Sequence, residues 1–283
     1  VGENYARELL ELHTMGVDGG YTQHDVEFVA EIFTGWGVAN RQFRFKPEHH
    51  VTGFKRFQGK IIRAGLGEEG ILEGQELLDM LALHPSTARH ICNKLIQFFV
   101  SDKADSELSI SCAEVFLAQA EDENQIAKVI AHLLQSSQFS EAAEHQEKKF
   151  SSPLRYAVSI ARLFEINDKN WVNRWVTRLG MPLFSFALPT GYSDSSDDWM
   201  SPAGQIQRLR FAADATEFAA LKRKLKSDDL SARFVNQLDL LSKLSKPSPA
   251  FNSLLRKLKD STNTTEQQSI LAALIVSPEA QLY

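Results

Sequence analysis

The sequence predicts an all-α, multi-helical globular array with a small β-hairpin insertion near residues 42–62. Three observations predict it. Apolar residues recur at helical spacing through most of the 283 residues. Cap-then-proline pairs at Ser152-Pro153, Ser201-Pro202 and Ser248-Pro249 announce helix starts, because serine accepts from a first-turn N–H and proline needs no acceptor there. Only between Trp36 and Gly74 does the helical period give way to short runs that alternate apolar and polar residues.

The first element is a helix with Tyr5, Leu9 and Leu12 at i, i+4 and i+7, flanked by Ala6 and Leu10. Its other face carries Glu3, Arg7 and Glu11, a ladder of alternating sign worth roughly 0.2–0.5 kcal/mol per pair. Gly16 stands where a left-handed C-cap is wanted, and Gly19-Gly20 permit a tight turn. Thr22, with Asp25 three residues on, caps a second helix whose buried face is Val26, Val29, Ala30 and Phe33. These two helices pack as an antiparallel pair and form the hub onto which most other helices dock.

Gln42–Phe45 and Phe54–Ile62 then alternate as small strands, with Pro47-Glu48-His49-His50 between them. A glycine-rich loop leads to a helix over Ile71–Leu83, and Pro85 opens the next. Ser111 with Glu114 reads as a capping box. Gln125–Gln135 and the stretch holding Val172, Trp175, Val176 and Leu179 are amphipathic, the latter stopped by Gly180. About nine or ten helices result. A faint echo links "IAKVIAHLLQSSQFS" with "ILAALIVSPEAQ", each an apolar helix ending in Ser before a second helical start. Two copies do not make a solenoid. Pro182–Trp199 is the longest non-helical segment of the second half. The expected division is residues 1–216, then a helical subdomain over 217–283.

The chain is 43% hydrophobic and 24% charged, ordinary for a folded domain of this size. A net charge of −5 argues against nucleic acid, which needs a basic face to displace counterions. The run Lys222–Lys226 reads as a solvated helix face, because Asp228-Asp229 follow it. No apolar run approaches the ~18 residues that span a bilayer. Cys92 sits on the apolar stripe Ala88, Ile91, Cys92, Leu95 and Phe99, so it reads as a buried free thiol rather than a partner of Cys112.

Candidate chemistry is sparse. Glu8, His13, His49, His50 and Arg89 are the catalytic candidates, as acid–base groups and an anion holder. Glu8 and His13 are five residues apart, so they diverge by about 140° around a helix. Their bland readings are a helix-end histidine and a hydrogen-bonded loop. His84-Pro85-Ser86-Thr87-Ala88-Arg89 is a helix start that can hold a carboxylate, sulfate or phosphate, or can simply be capped by Ser86 or His84 with Arg89 paired to an acid. Asp194, Asp197 and Asp198 crowd a Ser-rich turn without EF-hand spacing, so no metal site is expected. Neither a nucleophile elbow nor a dinucleotide or phosphate-loop fingerprint occurs, and no cofactor is expected. Trp36, Lys55, Tyr192 and Trp199 are the binding candidates, chiefly as rings that can stack on sugars or a polymer.

The wording "ENYARELLELHTMGVDGGYTQHDV…TGWGV" resembles the signature of the bacterial domain-of-unknown-function 1800 family. "HPSTARHICNKLIQFFVSD", "PTGYSDSSDDW" and "SPEAQ" follow in the expected order, although the family pattern has an aromatic at Ala280. The resemblance implies a mostly helical, exported bacterial protein, periplasmic or secreted, commonly encoded beside another exported protein. It also implies that this phrase lies well inside a longer domain whose N-terminal part is missing here. It supplies no catalytic residues. The expected function is a binding or scaffold module for a co-encoded partner protein or a surface polysaccharide. The alternative is a hydrolase of an extracytoplasmic substrate, its His/Glu/Arg site completed by the missing part.

Overall fold

The computed structural model describes residues 2–63, 65–144, 149–223 and 247–281. Among them are thirteen α-helices and two small antiparallel hairpins, so the mostly helical fold with a β insertion is as expected, with more helices than the nine or ten anticipated. The chain forms two compact units, Val1–Phe99 with Lys103–Ser136, and Val100–Asp102 with Ser137–Tyr283. The boundary expected at 216/217 falls inside the helix Pro202–Arg223, which lies wholly in the second unit.

In the first unit, α1 (Glu3–Glu8) runs into a π-helical turn, Leu9–His13, and α2 covers Gln23–Ile32. The wider turn sends the N–H groups of both Met15 and Gly16 back to the Leu10 carbonyl (2.8 and 3.1 Å) and rotates the face that packs. Ala6, Leu10 and Met15 are therefore buried with Val26, Val29, Ile32 and Phe33, while Tyr5 is 55% exposed. The expected face of Tyr5, Leu9 and Leu12 is corrected accordingly. The charge ladder is replaced by a bridge from α2, where Gln23 accepts from Arg7 (2.6 Å) and donates to Glu3 (3.0 Å). Thr22 and Asp25 form the reciprocal capping box, and Asp25 also accepts from the Gln58 N–H at 2.8 Å.

The β segment is two hairpins. β1 (Trp36–Ala39) pairs with β2 (Gln42–Phe45), and β3 (Lys55–Phe57) pairs with β4 (Lys60–Ile62). Asn40 and Arg41 both take positive φ, as a two-residue turn between twisted strands requires. Phe57 and Ile62 close the core against α2 and α3 (Ile71–Ala82). α4 (Pro85–Phe99), α5 (Ser106–Ala118) and α6 (Gln125–Leu134) complete the unit. The helix holding Ser111 begins at Ser106 with Asp105 as its cap, so the capping box read at Ser111 is instead a mid-helix serine that meets His132 (3.0 Å). Cys92 and Cys112 form a disulfide between α4 and α5. The free-thiol expectation is corrected: Cys92 is buried as expected, but so is Cys112, and the two face each other.

The second unit comprises α7 (Ser137–Glu144), α8 (Pro153–Leu163), α9 (Lys169–Arg178), α10 (Pro202–Arg223), α11 (Pro249–Asp260), α12 (Thr264–Ile275) and α13 (Pro278–Gln281). Its own core gathers Tyr156, Trp171, Trp175, Phe211, Phe251, Leu271 and Leu274. Both indoles donate to one carboxylate oxygen of Asp214, at 2.7 and 2.6 Å, which satisfies two buried donors and fixes α9 on α10. The opening pair is thus the hub of one unit, not of the whole chain. Ser152 and Ser248 cap their helices as expected, and Ser201 accepts from the Gly204 N–H (3.0 Å). The basic run Lys222–Lys226 and its acidic neighbours lie outside the described side chains.

The sequence echo is a real local repeat. Ser136 N–H and hydroxyl both reach the Leu133 carbonyl, and Ser277 does the same to Leu274. A third instance lies at Leu81–Pro85, where the His84 N–H bonds the Leu81 carbonyl before α4 begins.

Candidate aromatic binding loop

Between α9 and α10 runs a segment of about twenty residues whose regular structure is one 3-10 turn, Ser196–Asp198. Segments this long within a folded unit are commonly functional. Gly180, at φ +99°, reverses the chain after α9, a conformation that costs a side-chain-bearing residue energy. The return end is anchored by Ser196, whose N–H donates to Asp102 (2.8 Å) and whose hydroxyl accepts from the Phe150 N–H (2.9 Å). The tip is tied internally: the Tyr192 hydroxyl donates to the Pro182 carbonyl (2.6 Å), and the Trp199 indole donates to the Ser193 carbonyl (3.0 Å).

These bonds hold three rings in a row. Phe186 and Tyr192 have centroids 4.7 Å apart, and Tyr192 and Trp199 6.1 Å. Leu183, Phe186, Leu188 and Met200 are exposed around the row, and Phe184 is fully exposed with φ +59°. A phenylalanine held in the left-handed region and open to solvent costs on the order of 1–2 kcal/mol, which packing at that residue does not repay. Asp194, Asp197 and Asp198 are exposed in the same segment. The loop therefore presents aromatic surface edged by carboxylate acceptors. Sequence reasoning found Tyr192 and Trp199 but not Phe186, whose ring gains meaning only from its distance to Tyr192.

Trp36 and Lys55 belong to the other unit and take no part in this row. Trp36 packs edge-on to Phe33 and Phe43 (4.9 and 5.0 Å), with Gly74 against its ring and its indole N–H buried. Lys55 is turned inward rather than out. Its ammonium pairs with Glu73 (2.8 Å) and donates to the Val51 carbonyl (2.5 Å), and both side chains are about 1% exposed. His50 lies in the same enclosed cluster, with Nδ1–H donating to the Thr34 carbonyl (2.9 Å) and Nε2 3.4 Å from Glu73. The other Glu73 oxygen accepts from the Gly65 N–H (2.9 Å). A carboxylate, an ammonium and an imidazole so enclosed hold the hairpins to α3. Glu73 went unread because its partners lie 18 and 23 residues away, and no local pattern marks them.

The remaining catalytic candidates are dispersed. Glu8 is half-buried near the end of α1, whereas His13 and His49 are exposed. Among the described residues, no hydrogen bond or ion pair joins Glu8, His13, His49 or Arg89 to His50 or to one another. Arg89 instead lines an open depression with Met15–Asp18 and the start of α4. The cap there is His84, whose Nδ1 accepts from the Ser86 N–H (3.1 Å), and no carboxylate of the described residues pairs with Arg89. Burial, and then the charge of Arg89, holds the His84 imidazole below its usual range.

No helix among the described residues is long and apolar enough to cross a membrane. No curated protein and no solved structure matches the chain. The sequence model of one family, described as a protein of unknown function (DUF1800), matches residues 2–282. The chain therefore belongs to the DUF1800 family.

Proposed function

We propose that this protein is a binding module for a hydroxyl-rich surface polymer, a polysaccharide held on the aromatic loop of its second unit. The observation that carries the reading is the row Phe186, Tyr192 and Trp199, fixed by hydrogen bonds at both polar ring ends, with Phe186 exposed and the other two rings half-buried. Sugar rings offer apolar C–H faces that stack on such surfaces, and their hydroxyls donate to carboxylates such as Asp194, Asp197 and Asp198. On this reading the protein works outside the cytoplasm. The buried Cys92–Cys112 disulfide supports that, since such bridges persist in oxidising compartments. Migration of the whole chain through native gels cast with neutral and acidic polysaccharides tests the reading. Retardation by at least one polymer is expected, and unchanged mobility in all of them would overturn it.

A further inference from the structure

The depression beside Arg89 has a volume of about 290 Å³ and is lined by residues of the first unit, whereas the aromatic loop belongs to the second. Its lining carries groups of opposite polarity that leave one another alone. Arg89 and Asp18 both face it, yet they form no ion pair within 4.0 Å, and neither has a hydrogen-bonding partner among the described residues. Two neighbouring side chains are oriented from behind. Ser109 donates to the Asn93 side-chain oxygen (2.5 Å), which leaves the Asn93 amide N–H groups as the unspent donors. His90 donates from Nε2–H to the Leu12 carbonyl (3.1 Å), which leaves Nδ1 as an acceptor in the neutral ring. Gly16 keeps that nitrogen clear, because a Cβ there would stand 2.8 Å from it.

We infer that this depression binds a small zwitterion of the α-amino acid type. Its carboxylate would meet the Arg89 guanidinium and the Asn93 amide, and its ammonium would meet the Asp18 carboxylate and His90 Nδ1. Arginine suits the carboxylate because its planar fork can donate twice. A volume near the lower end of the ligand-pocket range suits a molecule of that size. A simple anion would leave Asp18 facing it, and a simple cation would leave Arg89 facing it. The paired lining selects a ligand that carries both charges.

Isothermal titration of the whole chain with glycine, alanine, glutamate and lysine tests this, followed by the N-acetyl and amide derivatives of the best of them. Saturable binding is expected at roughly millimolar Kd or tighter. Each blocked derivative should bind about tenfold or more weakly. Arg89→Ala should abolish the advantage of the free acid over the amide, and Asp18→Asn the advantage of the free amine over the N-acetyl form. Both side chains are exposed, so both variants should keep the wild-type melting temperature. Trp199→Ala should leave amino acid binding unchanged, which separates this site from the polymer loop. Absence of saturation with all four, or binding that neither Arg89→Ala nor Asp18→Asn alters, would overturn the inference.

Discussion

Asp25 shows how much one side chain can organise. Its carboxylate accepts from the Thr22 N–H (2.8 Å), the Thr22 hydroxyl (2.7 Å) and the Gln58 N–H (2.8 Å), tying the start of α2 to the β3–β4 turn. Burial pushes the acid up, but these hydrogen bonds and the charge of Arg56 outweigh it and hold it below the usual range. A depressed folded-state value means that the stabilisation is complete above the unfolded carboxylate value, near pH 4, and is lost as pH falls through the folded one. Asp25→Ala is expected to cost about 1–3 kcal/mol in urea unfolding at pH 7. The gap from wild type should close as the acid titrates below about pH 4. A different outcome is expected at Glu73. Glu73→Ala strands the buried Lys55 ammonium and should cost about 3–5 kcal/mol, whereas the double variant Lys55→Met/Glu73→Leu should recover most of it. Chemical denaturation of the three proteins checks both numbers. Gly16 was legible as a left-handed cap and has φ +83°. The contact of that position with His90 was not legible, because it joins residues 74 apart in the chain.

At the scale of elements, local signals were the readable ones. The Ser-Pro caps, the Thr22 cap and the strand at Gln42–Phe45 depend on neighbours in sequence, and each formed, while Phe54–Ile62 folds as a hairpin of two short strands. Trp36–Ala39 was missed as a strand because Trp36 and Gly37 continue the apolar drift of α2. The π-helical turn was missed because Leu9–His13 continues the α pattern without a break. Ser111 misled because a hydroxyl three residues before a glutamate also occurs inside helices. Cys92 was read as a core residue, which it is at 0% exposure, but sequence alone does not say that it meets Cys112, equally buried on α5. The bridge closes a span of 20 residues, so its removal should cost about 3 kcal/mol. Thermal melts with and without reductant, alongside Cys92→Ala/Cys112→Ala, check this. Equal melting temperatures in all three would contradict the bridge.

For the whole molecule, the helical class and the β insertion followed from periodicity, but the division into units did not. Composition changes after residue 216, whereas packing divides the chain at 136, because α10 runs through the former position and shares a core with α9 and α12. The candidate site was half legible. Tyr192 and Trp199 stood out as loop aromatics, but Phe186 and the strained, exposed Phe184 needed coordinates. The central claim is that this ring row is a binding surface rather than a packing remnant. Its most direct test is calorimetric titration of the polysaccharide that retards the protein against wild type, Phe186→Ala and Trp199→Ala. Each substitution should weaken binding by about 1–2 kcal/mol, roughly tenfold, while the melting temperature holds for Phe186→Ala. Affinity unchanged in both variants would contradict the account.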